Sequence, residues 1–239
     1  LLNIFIIMIN QYKHLIHSTR HFENLNIQAG SDYRYQDILS LESFELANKE
    51  ISSWDSYEST PLHSLSDLAS DSGVSLIAYK DESHRFSLKS FKALGGAYAV
   101  ANLLIKKLKE QGIEAKSSDL IAGTYSEITS KITVCCATDG NHGRSVAWGA
   151  QKFGCNCEIY IHRTVSVARE EAIAKYGAIV NRINGNYDES VHIAAEVSES
   201  NGYYVVSDTS YEGYTDIPKD VMQGYTVMVD EAIKQMEEV

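Results

Sequence analysis

The sequence predicts an α/β protein, an open parallel sheet in three layers with helices on both faces. Three observations lead there. From residue 132 onward short apolar strands alternate with helical patterns of ten or so residues, the sequence signature of parallel strands joined by right-handed crossovers. Gly177 and Gly202 close two of those helices. The 239 residues, 44% of them hydrophobic, suffice for a filled core.

The elements follow in chain order. Leu1 to Ile9 is almost wholly apolar, but it has no basic leader, is followed by Asn10-Gln11-Tyr12-Lys13 without a small-residue cleavage site, and is too short to cross a bilayer. It reads as a frayed or spurious start to an N-terminal arm over residues 1–36, and the protein as cytoplasmic. Ile38, Leu41 and Phe44 at helical spacing predict a helix within 33–53. After Pro61, the residues Leu62, Leu65 and Leu68 form a short amphipathic stretch. Val74 to Tyr79 is β-rich and predicts a strand running into the polar loop Lys80-Asp81-Glu82. Leu94, Ala97, Ala101, Leu104, Ile105 and Leu108 then mark a helix capped by Ser90, with Lys106, Lys107 and Lys109 in its last turn. The polar stretch 111–130 reads as a loop with a short helix inside it. Strands over 132–137, 158–161, 178–183 and 203–207 alternate with helices over 144–153, 167–176 and 188–199, and a final helix runs from Val221.

The charge of −11, from 32 acidic and 21 basic residues, comes without a Lys/Arg cluster and argues against nucleic acid as a partner; a small molecule suits it better. Cys135-Cys136 and Cys155-x-Cys157 lack the spacing of a disulfide framework or a zinc knuckle. They read as reduced, apolar strand cysteines, with no metal site.

In open parallel sheets ligands sit beyond the carboxyl ends of the strands, which directs attention to the loops 80–90, 138–143 and 208–218. In Ser90-Phe91-Lys92-Ala93-Leu94-Gly95-Gly96 a lysine opens an apolar helix, where burial and the positive helix end disfavour its ammonium form and leave an amine able to attack an aldehyde. Spacing alone leaves open that Lys92 is an ordinary solvated lysine; Lys89 is expected to face solvent. Gly95 and Gly96 let a flat cofactor or another backbone come close. In Thr138-Asp139-Gly140-Asn141-His142-Gly143 the glycines bend a loop whose N–H groups, with the following helix end, suit an anion such as a carboxylate. Asn141 offers an amide. His142 suits a loop-bracing role better than that of a general base, since nothing marks an orienting partner. Asp208, at a strand end beside two hydroxyl residues, is expected to face the cleft, and Glu212 to be a helix cap.

Lys80-Asp81-Glu82-Ser83, Arg85-Phe86 and Ser90-Phe91-Lys92-x-x-Gly together resemble the cofactor-lysine region of the threonine-dehydratase-like, fold-type II pyridoxal-phosphate (PLP) enzymes. Residues 90–99 (SFKALGGAYA), 137–144 (ATDGNHGR), 208–218 (DTSYEGYTDIP) and 222–226 (MQGYT) are more similar still to the diaminopropionate ammonia-lyases. The likeness covers residues 22–239, and Asp139 separates it from ordinary threonine dehydratases, which usually carry Ser there.

The resemblance implies the tryptophan synthase β-like fold, with residues 37–136 and 208–239 in a large PLP domain and 137–207 in a small α/β domain. It implies pyridoxal 5'-phosphate as cofactor and elimination of ammonia from 2,3-diaminopropionate, giving pyruvate and ammonia. Lys92 would hold the cofactor and act as base for one enantiomer, and Asp139 would be the base on the opposite face. Phe91 would pack beside the cofactor ring, Asn141 would contact its phenolate oxygen, and Asp208 would bind or polarise the substrate amino group. Thr138, Gly140 and His142 would complete the substrate site. A serine or threonine dehydratase and a non-catalytic α/β remnant are the alternatives. The resemblance further implies a homodimer at full length, no membrane partner, and a fragment: the glycine-rich phosphate cup and the partner of the pyridine nitrogen are not found, leaving the large domain incomplete.

Overall fold

The computed structural model describes residues 37–236, and these lie in one compact unit. The expected N-terminal arm falls outside the described residues. Helix α1 (Leu41–Ser52) starts where the Ser40 hydroxyl accepts the Ser43 N–H at 3.1 Å. Its buried stripe is Ala47 and Ile51, continued by Trp54, whereas Leu41 is 72% exposed. The packing partner, a long C-terminal helix, selects that face rather than the Ile38-Leu41-Phe44 stripe.

The stretch after Pro61 divides in two. Strand β1 (Leu62–Ser64) pairs antiparallel with β2 (Ala78–Lys80), and α2 (Ser66–Ser72) lies between them. The strand predicted from Val74 is therefore shorter. Gly73, in a left-handed conformation at φ +69°, ends α2, and Val74 and Leu76 stay exposed while the chain turns back. A 3-10 turn (Glu82–His84) follows.

The next residue, Arg85, is buried. Its guanidinium donates to both Glu231 oxygens at 2.8 and 2.7 Å and to Glu82 at 3.0 and 2.8 Å. Glu231 also receives Lys80 Nζ at 2.8 Å and the Tyr57 hydroxyl at 2.7 Å. Burial alone would raise the Glu231 carboxyl, but these donors hold it down at about 2. This cluster fixes the approach to Lys92 against the last helix.

Helix α3 (Lys92–Lys109) has an almost wholly buried first half and its lysines in the last turn. The expected cap shifts by one residue: Phe91 is the N-cap, and the Ser90 hydroxyl accepts the Lys92 N–H at 3.3 Å. Two short helices, α4 (Ser117–Ile121) and α5 (Ser126–Thr129), occupy the stretch predicted as a loop with one short helix inside it.

The alternation beyond residue 132 is observed. Strands β3 (Thr133–Ala137), β4 (Asn156–His162), β5 (Ile179–Ile183) and β6 (Tyr204–Val205) form a parallel sheet in the order β5-β4-β3-β6. Helices α6 (Asn141–Phe153), α7 (Val167–Ala174) and α8 (Tyr187–Asn201) make the crossovers, and α9 (Asp216–Met236) follows. Neighbouring side chains of β3 face opposite ways: Val134 and Cys136 enter the main core with Val146 of α6, while Cys135 meets Tyr160 and Ala194 of α8. Both faces are thus covered. Helix α3 packs on the outer side of α6, and α9 on α3.

Glycines make these crossings possible. A β-carbon at Gly149 would meet the Ala97 Cα at 2.8 Å, and one at Gly95 the Val221 carbonyl at 2.6 Å. Of the two partners expected for Gly95 and Gly96, the structure supplies backbone and the Ser145 side chain. The expected boundary between residues 136 and 137 falls at the carboxyl end of β3, an inner strand of this sheet. All four cysteines are free, and Cys135, Cys136 and Cys157 are buried. No helix among the described residues is long and apolar enough to cross a membrane.

Candidate active site

The carboxyl ends of β3 and β6 and the amino end of α3 converge on a cavity of about 500 Å³. Phe91, Lys92, Asp139, Asn141 and Asp208 all line it, as do Thr138, Gly140 and His142. The structure therefore brings every candidate residue to one place.

Lys92 is the first residue of α3, and its Nζ lies 2.6 Å from Asp208 Oδ2. The rings of Phe91 and Tyr225 stand 5.2 Å away on either count. The sequence reading weighs only burial and the helix end, which disfavour the ammonium. The structure adds a carboxylate and two aromatic faces beside the amine. The loop leading here contains two left-handed residues that are not glycine, Phe86 at φ +41° and Lys89 at φ +55°. Phe86 is buried against Trp54 and Trp148, so packing compensates for its backbone conformation.

Burial would raise the Asp208 carboxyl, but His142 and Lys92 outweigh it and keep it below the usual carboxylate range. His142 is itself buried: its Nε2 donates to the Val206 carbonyl at 2.8 Å, and its Nδ1 faces Asp208 Oδ2 at 3.7 Å. Burial pushes the imidazole below its usual value. The ring ties the β3 loop to the end of β6, in keeping with a bracing role.

Thr138 closes the same loop from inside. Its hydroxyl accepts the N–H groups of Gly140 at 3.1 Å and Gly143 at 3.2 Å. A β-carbon at Gly143 would collide with the Thr138 side chain, so this turn requires glycine. Helix α6 starts at Asn141, three residues before the predicted start, and its amino end faces the cavity. Asp139 is exposed at the mouth, and its carbonyl accepts Arg169 Nη1 at 3.2 Å.

The third loop is shorter than expected. Helix α9 begins at Asp216 and takes in Pro218, whose missing N–H costs nothing in a first turn. Tyr214 closes the loop by donating to the Val205 carbonyl at 2.8 Å and accepting the Ser207 N–H at 3.0 Å. Glu212 is exposed in this loop, ahead of the helix.

Three residues at or beside the site escape the sequence reading. Arg169 and Tyr187 line the cavity from the first turns of α7 and α8. Tyr225 reaches Lys92 from α9, with its hydroxyl buried and unpartnered among the described residues. Tyr225 lies inside the MQGYT motif, a signal that could have found it; nothing local marks the other two.

Residues 54–239 match the family described as pyridoxal-phosphate dependent enzyme. The chain is 45% identical over 183 residues to diaminopropionate ammonia-lyase of Escherichia coli K12, covering 77% of this chain and 45% of that one. It is 40% identical over 185 residues to the enzyme of the same name from Salmonella typhimurium LT2, again covering 45% of it. It superposes on the holo diaminopropionate ammonia-lyase from Escherichia coli with a TM-score of 0.76 at 40% identity, covering 84% of this chain and 51% of that one. The chain thus spans about half the length of the relatives it matches.

Proposed function

The chain belongs to the pyridoxal-phosphate dependent enzymes, and from that premise we propose that it carries the substrate-side half of a lyase that eliminates ammonia from 2,3-diaminopropionate, giving pyruvate and a second ammonia. The observation that carries this reading is the pairing of two acidic side chains, Asp139 and Asp208, with one amine, Lys92, around a single cavity. A substrate with two amino groups matches two carboxylates.

The residues present fit the aldehyde end of PLP. Lys92 offers an amine at the cavity wall with 27% of its side chain exposed, Phe91 presents a ring beside it, and Asn141 an amide. When bound, PLP supplies an electron sink for the charge left at the substrate Cα. Lys92 would hold the cofactor and, once released from it, take the Cα proton of one enantiomer; Asp139, which reaches the cavity from the β3–α6 loop, would take that of the other. Asp208 receives the substrate amino group in place of Lys92 Nζ. Thr138, Gly140 and His142 shape the wall on which the substrate rests. Loss of the β-amino group leaves aminoacrylate, whose hydrolysis gives pyruvate and ammonia.

The same reading makes 137–207 the small domain, the full-length protein a homodimer, and its compartment the cytoplasm. Four free, mostly buried thiols support the last point.

The test is ammonia and pyruvate release by the purified chain with PLP, comparing 2,3-diaminopropionate with serine and threonine. Preferential release from the diamino acid supports the reading. Faster release from serine or threonine sinks it.

A further inference from the structure

Tyr225 carries a group that packing does not explain. Its ring lies where α9 crosses α3: the Cε1 edge fills the space over Gly95, 2.5 Å from where a β-carbon would be, and the ring meets Phe91 edge-on at 5.1 Å. A phenylalanine would make the same contacts. The tyrosine hydroxyl is instead sealed from solvent with no hydrogen-bond partner among the described residues. A buried donor left unpaired costs free energy, and its retention calls for another state of the protein in which it is used.

The surroundings of the ring narrow what that state is. Lys92 Nζ stands 5.2 Å from the Tyr225 ring centroid and 2.6 Å from Asp208 Oδ2, so the amine lies beside both. Burial and then the Asp208 charge hold the proton on the phenol. Among the described residues Lys92 is the one side chain that donates a hydrogen bond to Asp208. Once that nitrogen is committed elsewhere, a carboxylate that burial would push up loses its donor. His142 does not replace it. Its Nε2 donates to the Val206 carbonyl, so the neutral ring, which burial favours, turns a lone pair on Nδ1 towards Asp208 at 3.7 Å. The Tyr225 hydroxyl is the unspent neutral donor beside the pair.

We propose that Tyr225 is a positioning residue whose hydroxyl takes over as donor to Asp208 when the Lys92 nitrogen leaves it, and so keeps the carboxylate bonded and aimed into the cavity until a substrate amino group arrives. The exchange of donors stands on these side chains alone; the cofactor as its cause rests on the reading that Lys92 holds PLP.

The test has a cofactor-free arm and a loaded arm, both on the full chain. Without PLP, urea midpoints are measured for wild type, Tyr225→Phe, Lys92→Met and the double variant; Lys92→Met removes the amine and keeps an unbranched side chain. With Lys92 in place, Tyr225→Phe is expected not to lower the midpoint, because no bond is lost. In the Lys92→Met background it lowers it. In the loaded arm, borohydride trapping and peptide mapping identify the lysine that carries PLP, and titration followed by visible absorbance gives the cofactor affinity. Tyr225→Phe is expected to weaken PLP binding by about 10- to 100-fold, the range of a hydrogen bond to a charged group, and far less once Asp208→Asn has removed the charge.

The proposal is overturned if Tyr225→Phe lowers the midpoint equally with and without the Lys92 amine, as a merely structural hydroxyl would, or leaves the Lys92→Met midpoint unchanged. An equal loss of PLP affinity with and without Asp208→Asn also overturns it. PLP trapped on another lysine or on none, with the cofactor-free coupling intact, would refute the reading of Lys92 and leave the reserve donor standing. PLP trapped on Lys92 without that coupling would do the reverse.

Discussion

Lys92 and Asp208 meet side chain to side chain at 2.6 Å across 116 residues of sequence. The pair joins the amino end of α3 to the carboxyl end of β6, so the amine is held by an element separate from the one that carries it. In the proposed reaction the carboxylate exchanges Lys92 for the substrate amino group. Asp208→Asn is expected to leave PLP attached to Lys92, as shown by borohydride trapping and peptide mapping, and to lower turnover of 2,3-diaminopropionate by about 10²-fold. Lys92→Ala is expected to abolish both.

Asp139 and Lys92 reach the cavity from different elements, the β3–α6 loop and the start of α3, and their proposed roles as separate bases predict a stereochemical split. Asp139→Asn should cut release of ammonia from one enantiomer of 2,3-diaminopropionate by about 10²- to 10⁴-fold and spare the other. Equal losses for both enantiomers would remove Asp139 from the base role.

Gly224 lies where α9 crosses α3, and an added β-carbon would overlap the Leu94 carbonyl and the Gly95 Cα. Neither neighbour is a flexible side-chain tip. Gly224→Ala should force the helices apart and cost about 1–3 kcal/mol, read as a lower midpoint in urea. An unchanged midpoint would mean that the crossing is looser than described.

The Glu231 carboxyl is held at about 2, below its ordinary 4.5. A depressed acid lends stability that is complete above the ordinary value and lost as pH falls from there towards the folded one. The chain should therefore lose about 2 kcal/mol between pH 5 and pH 2 through this group. Glu231→Gln should be less stable than wild type at pH 7, because Arg85 loses its counter-charge, and the gap should close in acid. Denaturant midpoints across pH would show it.

Asp220 behaves in the opposite sense. Burial raises its carboxyl to about 6, against the hydrogen bond from Asn102 at 3.0 Å. The proton is retained in the fold, and stability falls as pH rises through 6. Asp220→Asn preserves an acceptor for Asn102 and should raise stability by about 2–3 kcal/mol at pH 8 with little effect at pH 3, below the ordinary carboxyl value. Stabilisation at both pH values would point to another cause.

The parallel half of the fold is legible in the sequence because its strands and helices alternate with sharp punctuation: Gly177 and Gly202 stand at the turns where their helices end. The stretch 57–91 is less so. There β1 and β2 are three residues each and depend on one another, and the buried face of α1 is set by a helix 170 residues and more further on. At the site, loops that join a strand to a helix mark Lys92, Asp139 and Asp208. Arg169 and Tyr187 arrive from helices whose local pattern is that of any amphipathic surface, and only the packing of α7 and α8 directs them inward; Tyr225 arrives from α9 within a motif that marks it.

The Arg85 cluster bears on how the chain is made. A guanidinium sealed among apolar groups without its counter-ion costs several kcal/mol, and its main counter-ion, Glu231, is 146 residues downstream. While the ribosome is still short of that residue, Arg85 has only Glu82 as counter-charge, and the approach to Lys92 lacks its anchor on the last helix. Assembly of this end of the molecule therefore waits for the last described helix to emerge, and a nascent chain paused before residue 231 would expose its N-terminal segments to proteases and chaperones.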